Sequence, residues 1–157
     1  MPALKESVDD FLAQKRIAVV GVSRGGREAA NTVYRKLRGA GYQVFAVNPN
    51  ADEVEGDTCY PNLTSIPAGV EAVVIATSPE VTESVVRDCA EQGISRVWMH
   101  RSFGKGSVSQ AAADFCRDNN ITVIPGGCPM MFCAPVDFGH TCMRWILNLT
   151  GGLPKQT

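Results

Sequence analysis

Apolar runs alternate along the chain with segments whose apolar positions recur every three or four residues. Leu4, Val8, Phe11 and Leu12 keep helical spacing and predict a short amphipathic helix ahead of the main pattern. RIAVVGV (16–22) is a continuous β-branched run that ends beside a glycine and predicts a buried strand. Ala29, Ala30, Val33 and Leu37 return to helical spacing, until Gly39 and Gly41 stop it. The same alternation then repeats. YQVFAVNP (42–49) and EAVVIATSP (71–79) predict the second and third strands, and Val81, Val85, Val86 and Cys89 stripe the next helix. ISRVWMH (94–100) predicts a fourth strand, Val108, Ala112, Phe115 and Cys116 a further helix, and ITVIPGG (121–127) a fifth strand. Beyond Gly127 the pattern changes: Cys142, Trp145, Ile146 and Leu149 predict a last helix, followed by a loose tail, GGLPKQT.

Continuous apolar strands joined by amphipathic helices require a parallel sheet covered on both faces. Right-handed crossovers then favour an α/β, doubly wound, Rossmann-like sheet of about five strands in a single domain. The domain is expected over residues 1–135, with a helical extension at 136–157 packed on it. In such folds ligands gather at the carboxyl ends of the strands. Five loops fall there: Gly21-Val22-Ser23-Arg24, Asn48-Pro49, Thr77-Ser78-Pro79, the loop from His100 and Arg101 to Gly104, and Gly126-Gly127-Cys128-Pro129. All are rich in glycine, proline and small hydroxyls. One such loop is ordinary turn chemistry. Five on one rim predict a binding site.

Composition narrows the ligand. The chain has 157 residues, 45% hydrophobic and 20% charged, with a formal net charge of −1. That suits one domain with a proper core, and it supplies no basic field for nucleic acid or an anionic membrane. There is no apolar run long enough to span a bilayer, and residues 1–13 are acidic and amphipathic rather than a signal peptide, so the cytoplasm is the expected compartment. Six cysteines (59, 89, 116, 128, 133 and 142) lack short paired spacings and read as reduced, mostly buried thiols. Cys128, Cys133, His140 and Cys142 offer zinc-type ligands without the C-x-x-C knuckle that pins two of them in one turn, so no metal is expected.

The first turn admits three readings. Gly21-Val22-Ser23-Arg24-Gly25 spells the G-x-S-x-G of a serine hydrolase. The chain is short for that fold, though, and His100 and His140 are its only histidines. Gly21, Ser23 and Gly26 nearly spell a dinucleotide fingerprint, in which the following helix N-terminus faces a pyrophosphate. Ser23 replaces its second glycine, and Asn48 stands where an acid would bind the ribose diol of NAD. An asparagine there, with Arg24 and Arg27 near the turn, suits a phosphorylated ribose, which both NADP and coenzyme A carry.

The G-x-S turn at Gly21-Val22-Ser23, the Val47-Asn48-Pro49 after GYQVFA, the VWM of strand four and Cys128-Pro129 together resemble the CoA-binding protein family. These are single-domain relatives of the CoA-binding domain of succinyl-CoA synthetase, and the similarity covers roughly residues 8–132. The resemblance implies a Rossmann-like domain holding coenzyme A or an acyl-CoA across its strand ends. It places the 21–24 turn by the pyrophosphate, Asn48 and Pro49 by the nucleotide end, and Thr77, Ser78 and Pro79 by the pantetheine arm. The synthetase's phosphorylated histidine belongs to a second domain, so the resemblance implies no catalytic residues here: a carrier, sensor or regulatory module, not an enzyme. Many family members look like W-x-Q-x-G after strand four and Asn/Asp-Arg before the cysteine. Here Trp98, His100 and Ser102 stand at the first place and Gly126-Gly127 at the second, which leaves Arg101 or Lys105 to supply a cation.

Each singled-out residue also has a plainer reading. Cys128 before Pro129 is a thiol near the CoA sulfur, or a small buried residue at a helix start. His100 donates to a phosphate or a pantetheine carbonyl, or is a loop histidine. Arg24 and Arg101 read phosphates or are solvated charges. Met130, Met131 and Phe132 line an acyl pocket or pack as core. The alternative function is an NADP-dependent oxidoreductase, but neither Tyr34, Tyr42 nor Tyr60 has the lysine four residues on that a Tyr-x-x-x-Lys proton donor needs. A third is an interaction domain whose pocket has decayed. The expected partner is a small molecule, with the protein a monomer or homodimer.

Overall fold

Ile17 and Val19 face one side of a sheet, Ala18 and Val20 the other, and all four are buried. A strand covered on both faces has no polar side to alternate with, which explains its unbroken apolar run. In the computed structural model, which describes residues 3–101 and 106–132, this strand is β1 (Arg16–Val20). The chain continues through α2 (Ala29–Gly39), after an initial α1 (Leu4–Leu12), to β2 (Gln43–Val47). A short hairpin, β3 (Glu53–Val54) and β4 (Asp57–Tyr60), precedes β5 (Ala72–Ile75). Then α3 (Pro79–Glu91), β6 (Arg96–Met99), α4 (Gln110–Asp118) and β7 (Thr122–Pro125) complete the alternation.

The sheet order is β3-β4-β2-β1-β5-β6-β7. Only the β3–β4 pair is antiparallel, so the doubly wound, Rossmann-like parallel sheet expected from the sequence is present. It has seven strands rather than about five. The two extra ones are the hairpin, too short and too polar to register as an apolar run. One face is covered by α1 and α2, whose Val8, Phe11, Val33 and Leu37 pack against Ile17, Val74, Trp98 and Ile124. The other is covered by α3 and α4, whose Val85, Val86, Cys89 and Cys116 pack against Ala18, Val73, Val97 and Met99.

The stripe expected for α3 differs at one position. Val81 fits the apolar stripe of α3 but is 47% exposed, and Thr82 takes the buried place beside it. The Thr82 hydroxyl lies within hydrogen-bond distance of Ser78 O, 3.1 Å, and Ser107 O, 2.8 Å, so its burial leaves no polar group unmatched. The reading of buried, reduced thiols holds for Cys59, Cys89, Cys116 and Cys128. Burial pushes the Cys116 thiol up to about 12 and raises Cys59 and Cys89 as well. Ser102, Phe103, Gly104, Lys105, Cys133, His140, Cys142, the last helix and the 136–157 extension lie outside the described residues.

Candidate functional site at the switch point of the sheet

Strand order reverses between β1 and β5: the chain moves outward from β1 in one direction through β2, and in the other through β5. Helices that leave the two strands on opposite faces open a crevice at that point. A cleft of ≈ 370 Å³ lies there, walled by Gly21, Ser23, Glu28, Ala29, Ala30, Ala76, Thr77, His100, Gly106 and Ser107. Gly21, Ser23, Thr77 and His100 were legible as strand-end residues. Glu28, Ala29, Ala30, Gly106 and Ser107 were not, because they join the wall through the fold rather than through a motif.

Gly21 closes the crevice at its base. Its φ is 109°, and a Cβ there would sit 2.3 Å from Ala76 O. The glycine is therefore required by the neighbouring strand end, before any ligand is considered. Its N–H donates to Val47 O at 3.0 Å, which ties the turn to the end of β2.

The turn that follows is braced from within. Ser23 N–H donates to Asn31 Oδ1 (2.9 Å), and Asn31 Nδ2 donates back to Ser23 O (2.7 Å). Asn31 is completely buried. On the other side Asn48 Nδ2 donates to Val22 O, 2.9 Å, while Asn48 Oδ1 accepts from Asn50 N–H. Two asparagines thus hold the peptide groups of Val22 and Ser23, and the Ser23 N–H points inward rather than into the cleft. The cleft wall beside the turn is the start of α2, at Ala29 and Ala30. Its first internal bond runs from Thr32 N–H to Glu28 O, so the amides of residues 29–31 precede the ladder. The N-cap, Glu28, offers them no side-chain oxygen. The positive end of the helix dipole and its leading amides suit an anion, although the Glu28 carboxylate sits on the same wall.

The opposite wall comes from α3 and the loop after β6. Thr82 Oγ1 meets Ser78 O, Ser107 O and Thr77 Oγ1 and so locks the 77–78 segment to the 107 segment. Ser78, the N-cap of α3, makes no side-chain cap, and Pro79 occupies the first turn. At the far rim Arg101 N–H donates to Gly127 O (2.8 Å), and Trp98 Nε1 donates to Gly126 O (2.9 Å). Trp98 is fully buried, as is Cys128 at 2% exposure.

Of the remaining sequence-predicted residues, Val22 is buried beneath the turn and Arg24 is exposed beside it. Asn48, Pro49, Ser78, Pro79, Arg101 and Cys128 sit at strand ends behind or beside the cleft rather than on its wall. A second groove of ≈ 460 Å³ opens near the amino ends of β1 and β2, against residues 12–15 and 40–42 and Phe132. There α2 presents its carbonyl end, the negative pole of its dipole, which disfavours phosphate. Among the described residues no group of three or more His, Cys, Asp or Glu side chains is arranged to hold a metal ion, and no helix is long and apolar enough to cross a membrane.

A sheet of this order, with its crevice at the switch point and the start of α2 on its wall, defines a doubly wound, Rossmann-like class of domain. Residues 15–134 match the family described as CoA binding domain, and the chain belongs to that family. It is 36% identical over 87 residues to ADP-forming acetate–CoA ligase II of Archaeoglobus fulgidus, covering 54% of this chain and 13% of the ligase. A second ligase of that organism, ADP-forming acetate–CoA ligase I, is 31% identical over 80 residues, and the chain covers 12% of it. Similarity of a different extent links it to the uncharacterized protein YneT of Bacillus subtilis, 27% identical over 127 residues, 81% of this chain and 91% of that protein. Among solved structures, a hypothetical protein from Pyrococcus horikoshii superposes with a TM-score of 0.74 at 27% identity, covering 83% of this chain and 92% of that one.

Proposed function

We propose that the protein binds coenzyme A, free or acylated, in the switch-point cleft and acts without catalytic chemistry of its own, as a carrier, sensor or regulatory module. The observation that carries this reading is the overlap of two independent facts. The family match spans 15–134, and inside that span the cleft joins the α2 helix start to the ends of β1, β5 and β6.

The residues fit such a ligand. The leading amides of α2 and the exposed Arg24 supply positive potential for the phosphates. Asn48 and Pro49 lie at the neighbouring strand end for the nucleotide portion. Thr77 lines the cleft, and Ser78, Pro79 and the exposed Val81 continue from it beside the cleft, a mixed apolar and hydroxyl surface for the pantetheine arm. His100 and Arg101 stand at the end of β6. Coenzyme A would contribute its thiol, free or acylated, and the protein's part is to bind and orient it.

The state of the thiols supports a role without thiol catalysis. Cys128, the thiol expected nearest the ligand, is buried, and the thiols of Cys59, Cys89 and Cys116 are raised by burial, which disfavours thiolate nucleophiles. The ligase relatives carry the matching region as a small part of a much longer chain, whereas YneT is matched over 91% of its length. Calorimetric titration with CoA, acetyl-CoA, NADP and NAD tests the reading. Saturable heat with CoA or acetyl-CoA and none with the nicotinamide nucleotides is expected. Preferential binding of NADP would replace it with the oxidoreductase reading.

A further inference from the structure

Glu55 holds a left-handed backbone, φ 54°, at the first corner of the β3–β4 turn, and Gly56, φ 79°, holds the second. A two-residue hairpin turn of this kind needs positive φ at both corners, and asparagine, aspartate or glycine fills the first at lower cost than glutamate. What glutamate adds is reach. Its Oε1 accepts from Asn31 Nδ2 at 2.8 Å and from Arg35 Nη1 at 2.6 Å. Asn31 Nδ2 also donates to Ser23 O (2.7 Å), and Arg35 Nη1 also donates to Gly26 O (3.1 Å). One carboxylate oxygen, delivered from an edge hairpin, thus fixes the two side chains that hold both ends of the 23–26 segment. The Asn31 hydrogen bond, with Arg35 behind it, holds the Glu55 carboxyl below the usual carboxylate range, so the acceptor stays charged at neutral pH.

We propose that Glu55 is a positioning residue for the ligand turn: it touches no ligand, and it fixes the 23–26 segment against the start of α2 through Asn31 and Arg35. The β3–β4 hairpin is then part of the binding apparatus although it lies outside the cleft, which accounts for a strained glutamate at a corner that asparagine would fill more cheaply. This rests on the reading that the turn and the α2 start hold the phosphates of coenzyme A.

Glu55→Asn removes the reach while suiting the left-handed corner, and Glu55→Gln keeps a neutral acceptor for Asn31. Three measurements are compared across wild type and both variants: melting temperature, hydrogen exchange of the Ser23 amide by NMR, and CoA affinity by calorimetry. Glu55→Asn relieves the corner but takes the acceptor from one N–H of the buried Asn31 amide, so it should melt near the wild-type temperature, exchange its Ser23 amide about tenfold faster and bind CoA about tenfold more weakly, the equivalent of one net hydrogen bond. Glu55→Gln should fall between the two in Ser23 exchange and in CoA affinity. A Ser23 amide as slow in Glu55→Asn as in wild type overturns the proposal. So does a fall in melting temperature with faster exchange across the whole sheet, which marks a general structural role. Faster Ser23 exchange in Glu55→Asn, with no CoA binding even by wild type, sustains the brace and overturns the ligand reading instead.

Discussion

Asn48 donates its side-chain amide to the carbonyl oxygen of Val22 at 2.9 Å, which makes the end of β2 and the turn after β1 one hydrogen-bonded unit. The residue that reads from sequence as a neutral neighbour for a 3′-phosphate therefore also braces the turn. Asn48→Asp replaces the donor with a carboxylate facing a carbonyl, a loss of about 1 kcal/mol or more for a partly buried polar group left without its partner. Affinity for both CoA and dephospho-CoA should fall, and CoA should fall further because the new charge meets its extra phosphate. Dephospho-CoA affinity equal to wild type in this variant would remove the brace from the account.

Gly21→Ala places a methyl group 2.3 Å from Ala76 O on a backbone with φ 109°. The left-handed penalty alone is about 1–2 kcal/mol, and the close approach adds to it. Denaturant unfolding should show a loss of at least about 2 kcal/mol, and CoA affinity should fall with it as the base of the cleft shifts. A fully stable variant would show that β1 and β5 can part at this point without cost.

Glu28 is the exposed N-cap of α2 and lines the cleft, yet its side chain caps nothing. A carboxylate there opposes the phosphates that the helix start attracts. Glu28→Gln should tighten CoA roughly two- to fivefold, the equivalent of about 0.3–1 kcal/mol for one charge near a helix terminus. The gain should shrink as salt rises, since the site is open to solvent. Weaker binding in this variant would place the phosphates away from α2.

Asp57 accepts from Tyr34 O–H (2.7 Å) and from Arg38 Nη1 (2.8 Å). The Tyr34 hydrogen bond, followed by the Arg38 guanidinium, lowers its carboxyl below the ordinary 3.8. A group depressed in the folded state contributes stability that is complete above its ordinary value and is lost as the pH falls through the folded one. Asp57→Asn should therefore melt lower at neutral pH, and the two melting curves should converge as the pH falls below about 3.8. Solvent exposure keeps the difference small. A gap that persists unchanged into acid would assign the effect to something other than ionisation.

The five apolar strands and their helices were legible because burial on both faces leaves a continuous hydrophobic run, and β1, β2, β5, β6 and β7 all carry one. The hairpin was not, since β3 has two residues and only Val54 and Cys59 of the pair are buried. Its signal was the Glu55-Gly56 corner. Val81 misled because periodicity cannot distinguish it from Thr82, whose hydroxyl becomes acceptable in the core only through the distant Ser107 carbonyl. The rim loops were legible as glycine-rich strand ends. Asn31 was not, although a polar residue between Ala30 and Val33 on the apolar face of α2 was the trace it left. Its role depends on Ser23 and Glu55, which only the folded chain brings to it.

The most direct test of coenzyme A binding at the switch point is backbone amide chemical-shift mapping of the isotope-labelled protein during CoA titration. The largest shifts are expected at residues 21–24, 28–31, 76–81 and 106–107, around the cleft between β1 and β5. Residues 12–15 and 40–42, which line the larger groove near the strands' amino ends, should stay near their starting positions. Shifts concentrated in that second groove, with the cleft unmoved, would contradict it.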